Sequence, residues 1–126
     1  MTDGDTVVVR LDGGSYEKVR YIGVDTPEST PNQPLECFGH EAAAENRRLV
    51  AGRRVSLQPG VERRDKYGRL LAWVTADGRS VNERLLAGGF ARTLAIAPND
   101  GRAADYARIE AAAARAGRGL WGVCSE

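Results

Sequence analysis

Thr6-Val7-Val8-Val9-Arg10-Leu11 is rich in β-branched residues and reads as a strand. Asp12-Gly13-Gly14 supplies a turn, and Tyr16 to Val24 holds a second strand, so a hairpin is expected over residues 6–24. Pro27 and Pro31 mark Asp25 to Gln33 as an ordered loop. Strong helix formers run from His40 to Val50 and stop at Ala51-Gly52. A short strand at Arg54 to Leu57, a polar loop from Val61 to Gly68 and a strand at Leu70 to Thr75 follow. Ala76-Asp77-Gly78 turns the chain into a strand remnant at Ser80-Val81. Asn82 is expected to cap a short helix through Leu86, ended by Gly88-Gly89. Ala91 to Ile96 reads as a fifth strand, and Pro98-Asn99-Asp100-Gly101 as a loop. An alanine-rich helix spans Ala103 to Ala116, and Leu120 and Trp121 are placed to pack the tail onto the body. Short strands with helices inserted late predict an α+β fold. The order fits a five-stranded β-barrel of the oligonucleotide/oligosaccharide-binding (OB) type with about three α-helices.

Composition narrows this little. The 126 residues suit one domain over 1–126, and the hydrophobic share of 42% is that of an ordinary globular chain. A net charge of +1 neither demands nor excludes a nucleic-acid partner, because local patches matter more than the sum. No stretch approaches the ~20 apolar residues of a membrane helix, so no membrane insertion is expected. No leader pattern opens the chain. Met1-Thr2 runs at once into Asp3, as expected of a chain that has lost its leader and the first part of its opening strand.

Three clusters carry candidate chemistry. In Asp3-Gly4-Asp5-Thr6, two carboxylates one residue apart on an extended chain point to the same side, and such hard oxygens suit Ca²⁺ or Mg²⁺. Taken alone, such a segment is more often a plain turn. In Arg20-Tyr21-Ile22-Gly23-Val24-Asp25-Thr26-Pro27-Glu28, an arginine and two carboxylates gather at a strand end across a proline that fixes the turn; a strand-exit ion pair is the bland alternative. Arg64-Asp65-Lys66-Tyr67-Gly68-Arg69 could hold a phosphate with Lys66 and Arg69 and stack a base on Tyr67, or be a solvated turn. His40, the only histidine, reads as a helix-start residue.

In this order the three clusters resemble the staphylococcal nuclease family. Further matches are Glu36-Cys37-Phe38-Gly39 with Glu41-Ala42, Val81-Asn82-Glu83-x-Leu85-Leu86, Gly89-x-Ala91 and Gly119-Leu120-Trp121. The resemblance implies a calcium-dependent nuclease that hydrolyses phosphodiester bonds of DNA and RNA with little sequence specificity, leaving 3′-phosphate ends, and acting as a monomer. It implies that Asp5 and Asp25 are carboxylate ligands of Ca²⁺, that Thr26 offers its backbone carbonyl, and that Asp3 lies in the outer shell. Glu28 matches the general base, Arg20 and Arg69 the arginines that grip the scissile phosphate, and Lys66 and Tyr67 residues that contact a terminal phosphate of the nucleotide. The chain also departs from the pattern. Ala95-Ile96-Ala97 stands where the family's best-known member carries tyrosines in its nucleotide pocket, at a cost of roughly 1–3 kcal/mol per lost stack.

The same fold occurs as nuclease-like nucleic-acid-binding modules whose active-site residues are lost. Retention of Asp5, Arg20, Asp25, Glu28 and Arg69 favours the enzyme. Cys37 and Cys124 are the only cysteines, one just before the first helix and one after Trp121. Two unpaired thiols are one reading. A disulfide is the sharper one, and it points to a secreted or cell-envelope location.

Overall fold

A computed structural model of the chain describes residues 3–29 and 35–124, so residues 30–33 of the expected loop lie outside the described residues. Strands β1 (Thr6–Arg10) and β2 (Tyr16–Tyr21) form the expected hairpin, with Thr6 opposite Arg20 and Arg10 opposite Tyr16. The second predicted strand breaks at Ile22, and its last residues become β3 (Gly23–Asp25). Helix α1 (Gly39–Val50) follows, then β4 (Val55–Arg64), β5 (Leu70–Ala76) and β6 (Arg79–Ser80). Helix α2 (Val81–Ala87), β7 (Arg92–Leu94), α3 (Ala103–Arg115) and the one-turn α4 (Leu120–Val123) complete the order. The main sheet runs β1-β2-β5-β4 with β6 on β5, and β3 pairs with β7. Among the described residues, β2 and β5 are the only parallel pair.

The fold is α+β of the OB type, with three corrections. The five-stranded sheet is not closed into a barrel among the described residues. A cleft of about 760 Å³, lined by Val7–Asp12 and by Val50–Val55, separates the β1 edge from the start of β4. Val61 to Arg64 is strand rather than loop. The Asn99 side chain bonds both the amide and the carbonyl of Glu62 (2.9 Å each), serving as a strand partner where the β4–β5 register shifts between Pro59 and Arg64. Asn82 is not a helix cap. Ser80 Oγ accepts from the Glu83 amide at 3.1 Å, while Asn82 is buried and accepts from the Val74 amide and donates to the Ile22 carbonyl. The pair Ser80 and Glu83 already has capping-box spacing.

The core lies between the sheet and the first three helices. Val19, Tyr21, Val24, Val74, Leu85, Leu86 and Tyr106 are all at most 1% exposed. Burying side chains of this kind contributes roughly 1.5–3 kcal/mol each before the entropy of ordering is subtracted. A long-range polar brace crosses this core. Asn46 on α1 accepts from Tyr21 Oη and donates to the carbonyls of Asp3 (3.1 Å) and Thr6 (3.0 Å). The start of β1 is thereby pinned to α1, which positions the first carboxylate cluster.

Candidate active site

Asp5 sits just before β1 and is only 5% exposed. Its Oδ1 accepts from Thr6 Oγ1 and its Oδ2 from the Thr26 amide at 3.0 Å. Glycine at position 4 permits this approach, because a Cβ there would stand 2.8 Å from Thr26 Oγ1. Arg20, at the end of β2, gives Nη1 to the carbonyls of Tyr21 (2.6 Å) and Val24 (2.8 Å). Its Nη2 lies 3.4 Å from Asp5 Oδ2 and 3.7 Å from Asp25 Oδ1. The two aspartates, distant in sequence, thus converge on a single point of positive charge. Thr26 is buried, and its Oγ1 has no hydrogen-bond partner among the described residues.

Crowding of negative charge marks the cluster. Burial, then the hydrogen bond and charge of Asp5, push the Asp3 carboxyl up to about 7. Asp25 is raised by its burial and by Asp5, with Arg20 opposing. A cation beside these carboxylates would lower the energy of their charged forms. Among the described residues, no three His, Cys, Asp or Glu side chains gather closely enough to hold a metal. The donor set is therefore two converging carboxylates with a neighbouring backbone, and water would fill the rest of a Ca²⁺ shell of 6–8 oxygens. That set fits a hard cation loosely.

Glu28 is fastened through its backbone. Its amide donates to Glu36 Oε1 at 2.8 Å, and its carbonyl accepts from the Glu36 amide at 3.1 Å. Gly39, the first residue of α1, abuts the same carbonyl so closely that a Cβ would overlap it. The Cys37–Cys124 disulfide, with Cα atoms 5.9 Å apart, ties α4 to this segment. The two cysteines line a pocket together with Asp25, Thr26 and Glu36.

Arg69 is held by its own loop. Asp65 Oδ1 accepts from the amides of Tyr67 and Arg69, and Oδ2 accepts from Arg69 Nε at 2.7 Å. Burial pushes the Asp65 carboxyl up, but these hydrogen bonds outweigh it and leave the group below its ordinary value. Arg69 and Lys66 both lie over the Tyr67 ring, at 5.4 and 5.2 Å from its centre. Arg20, Arg69, Lys66 and Tyr67 share one cleft of about 620 Å³, whose far wall is Leu94, Ile96 and Asn99. Of Ala95-Ile96-Ala97, Ile96 lines this cleft and Ala95 and Ala97 do not. Asp5, Asp25 and Glu28 do not line it, although Arg20 reaches from it to both aspartates.

Sequence reading missed the supports: Glu36 under Glu28, Asn46 under Asp3, and Asp65 under Arg69. It also missed Arg92, which pairs with Asp25 across the β3–β7 ladder and stacks on Trp121 at 4.6 Å. Only Asn46 carried a signal, as a polar residue among the buried positions Ala42, Ala43, Leu49 and Val50 of its helix.

A family model described as staphylococcal nuclease homologue matches residues 18–123. The chain is 41% identical over 110 residues to Endonuclease YncB of Bacillus subtilis (strain 168), covering 86% of this chain and 52% of that protein. It is 41% identical over 99 residues to a Thermonuclease of Staphylococcus intermedius, covering 78% and 58%. Against the SPbeta prophage-derived endonuclease YokF of Bacillus subtilis (strain 168) it is 46% identical over 92 residues, covering 71% and 31%. The chain therefore spans between about a third and three-fifths of the length of these relatives.

Proposed function

The chain belongs to the staphylococcal nuclease family, and from that premise we propose that it is a calcium-dependent nuclease hydrolysing DNA and RNA to products with 3′-phosphate ends. The observation that carries this reading is the reach of Arg20. It joins the cleft that holds Arg69 to the focus of Asp5 and Asp25. Two guanidinium groups on one cleft match the paired oxygens of a phosphodiester, which lysine could not grip bidentately.

Asp5, Asp25 and the Thr26 carbonyl would hold the Ca²⁺, which supplies charge stabilisation at the phosphoryl oxygens when bound. The protein's own groups do the rest. Arg20 and Arg69 bind the phosphoryl oxygens, and their charge opposes what builds up there as water attacks phosphorus. Glu28, held by Glu36 and the start of α1, accepts the proton of that water at its carboxylate. The phosphorus–O5′ bond breaks, the 5′ oxygen takes a proton, and the phosphate stays on the 3′ side. Lys66 and Tyr67 receive a terminal phosphate of the bound nucleotide. The disulfide suits an oxidising compartment, so the protein is secreted or held in the cell envelope.

Incubation with plasmid DNA and with RNA, in Ca²⁺ and then in chelator, tests the reading. Both polymers should be degraded in Ca²⁺ and spared in chelator. Binding of either polymer without any cleavage in Ca²⁺ would replace the enzyme by a nuclease-like binding module.

A further inference from the structure

The formal charge of +1 hides a strong polarity. Helix α1 is the ruler, since its 12 residues span roughly 18 Å. Its first residue abuts Glu28, amid the acidic cluster. Its last turn carries Arg48, and the turn beyond adds Arg53 and Arg54. Arg53 pairs with Asp77, which brings the β5–β6 turn to this end. Arg48, Arg53, Arg79 and Arg84 line one small hollow there, with Asp77 as the sole acidic lining residue. Arg53 also lines the adjoining groove beside β1, where Arg10 and Arg54 stand with Asp12.

Pairing divides these arginines into two sets. Arg48 is neutralised by Glu45, Arg53 by Asp77 and Arg54 by Asp12. Arg10, Arg79 and Arg84 have no acidic partner among the described residues. The helix macrodipole accounts for a cation on the last turn of α1 and for Arg84 on the last turn of α2, but not for Arg79 on β6 or Arg10 on β1. Unpaired guanidinium groups spread over a hollow and the groove adjoining it are the footprint of a polyanion's backbone rather than of a single small anion.

We propose that this arginine-rich pole is a second, non-catalytic contact for the phosphate backbone of a long nucleic acid, with Arg79, Arg84 and Arg10 as its phosphate-binding residues. It rests on the nucleic-acid-directed function proposed above. Roughly 18 Å of separation is crossed by about five base pairs at 3.4 Å each, so only substrates longer than that reach both poles. Short substrates use the cleft alone, while long ones gain affinity from the distant arginines.

The test is binding of a duplex of about 30 base pairs in chelator, read by fluorescence anisotropy at rising salt, so that no cleavage is needed. Each phosphate contact steepens the logarithmic salt dependence by about 0.9. The double variant Arg79→Gln/Arg84→Gln should therefore lose about two slope units. Between about 50 and 200 mM salt its affinity should fall about tenfold less than that of the wild type. Arg10→Gln, in the adjoining groove, should remove about one further unit and decides the matter if the double variant does not fold. Turnover of a dinucleotide in Ca²⁺ should be the same for wild type and variants. An unchanged slope, or a loss confined to vesicles of anionic phospholipid, would overturn the proposal. A wild type that binds the duplex with this salt dependence but cleaves nothing in Ca²⁺ would sink the nuclease reading while leaving the second contact standing.

Discussion

The two halves of the candidate site are built in opposite ways. The Arg69 side is local, with Asp65, Tyr67 and Arg69 fixing one another within five residues, largely through one carboxylate. The carboxylate side is assembled from far-apart segments. Asp5 meets Thr26, Arg20 reaches back to Asp5, Asn46 braces Asp3, and Cys124 returns from the tail to the segment preceding α1. A local turn keeps its geometry whatever the rest of the domain does. A non-local cluster exists only while the whole fold holds it, so damage to the fold should reach the carboxylates first and the Arg69 loop last.

Breaking the longest tether is the strongest way to separate the halves. Cys37→Ser/Cys124→Ser opens a loop of sequence separation 87, and the chain-entropy model allows about 4–5 kcal/mol for such a loop as an upper figure. Denaturant unfolding of the variant should show most of that loss. Before global unfolding, Ca²⁺ affinity should weaken while nucleotide binding at the Lys66–Arg69 loop persists. Equal weakening of both would mean that the halves are not independent.

Next in size are the arginines. Arg20→Lys and Arg69→Lys should each slow turnover by about 10²–10³, or roughly 3–4 kcal/mol by analogy with lost oxyanion donors. The two should differ in side effects. Arg20 is also the cation between two carboxylates and donates to two carbonyls, so its lysine variant should alter Ca²⁺ affinity as well. Arg69→Lys should leave that affinity unchanged. Near wild-type rates in either folded variant would remove its assigned role.

A smaller effect isolates the local half. Asp65→Ala removes the acceptor of Arg69 and of two loop amides, each worth about 1 kcal/mol. Turnover should fall about tenfold and the melting temperature should drop by several degrees, because up to three hydrogen bonds are lost together. The smallest effect is acid sensitivity. The folded carboxyl of Asp65 lies below its ordinary value of 3.8. Its contribution is therefore fully present above that value and is lost as pH falls through the lower folded one. Nucleotide binding by wild type should show a step in this acid range that Asp65→Ala lacks.

How legible each half was follows from the same contrast. The hairpin over residues 6–24 and the helices α1 and α3 were readable because their signals are periodic and local, and only element ends moved. Asp3, Asp5, Asp25 and Glu28 stood out as local clusters by their spacing, but only the family resemblance gave them roles. Nothing in the intervals between Asp5, Arg20 and Asp25 says that they meet; strand pairing and the Thr26 approach decide that. The β4 extension was missed because Glu62 to Arg64 are polar, and the partner of Glu62 is a side chain, Asn99, whose role is invisible without the fold. Asn82 was misread because a good capping residue two positions past the true cap, Ser80, is a buried strut.

The central claim is that Asp5 and Asp25 together make a site for Ca²⁺ on which hydrolysis depends. Calorimetric titration of Ca²⁺ into the wild type, Asp5→Asn and Asp25→Asn, with DNA hydrolysis measured on the same samples, tests it most directly. The account predicts one bound ion in the wild type, binding and turnover lost together in both variants by at least about a hundredfold, and poor replacement by Mg²⁺, which demands a stricter octahedral shell. Wild-type hydrolysis that persists in chelator, or folded variants that keep full Ca²⁺ binding, would contradict it.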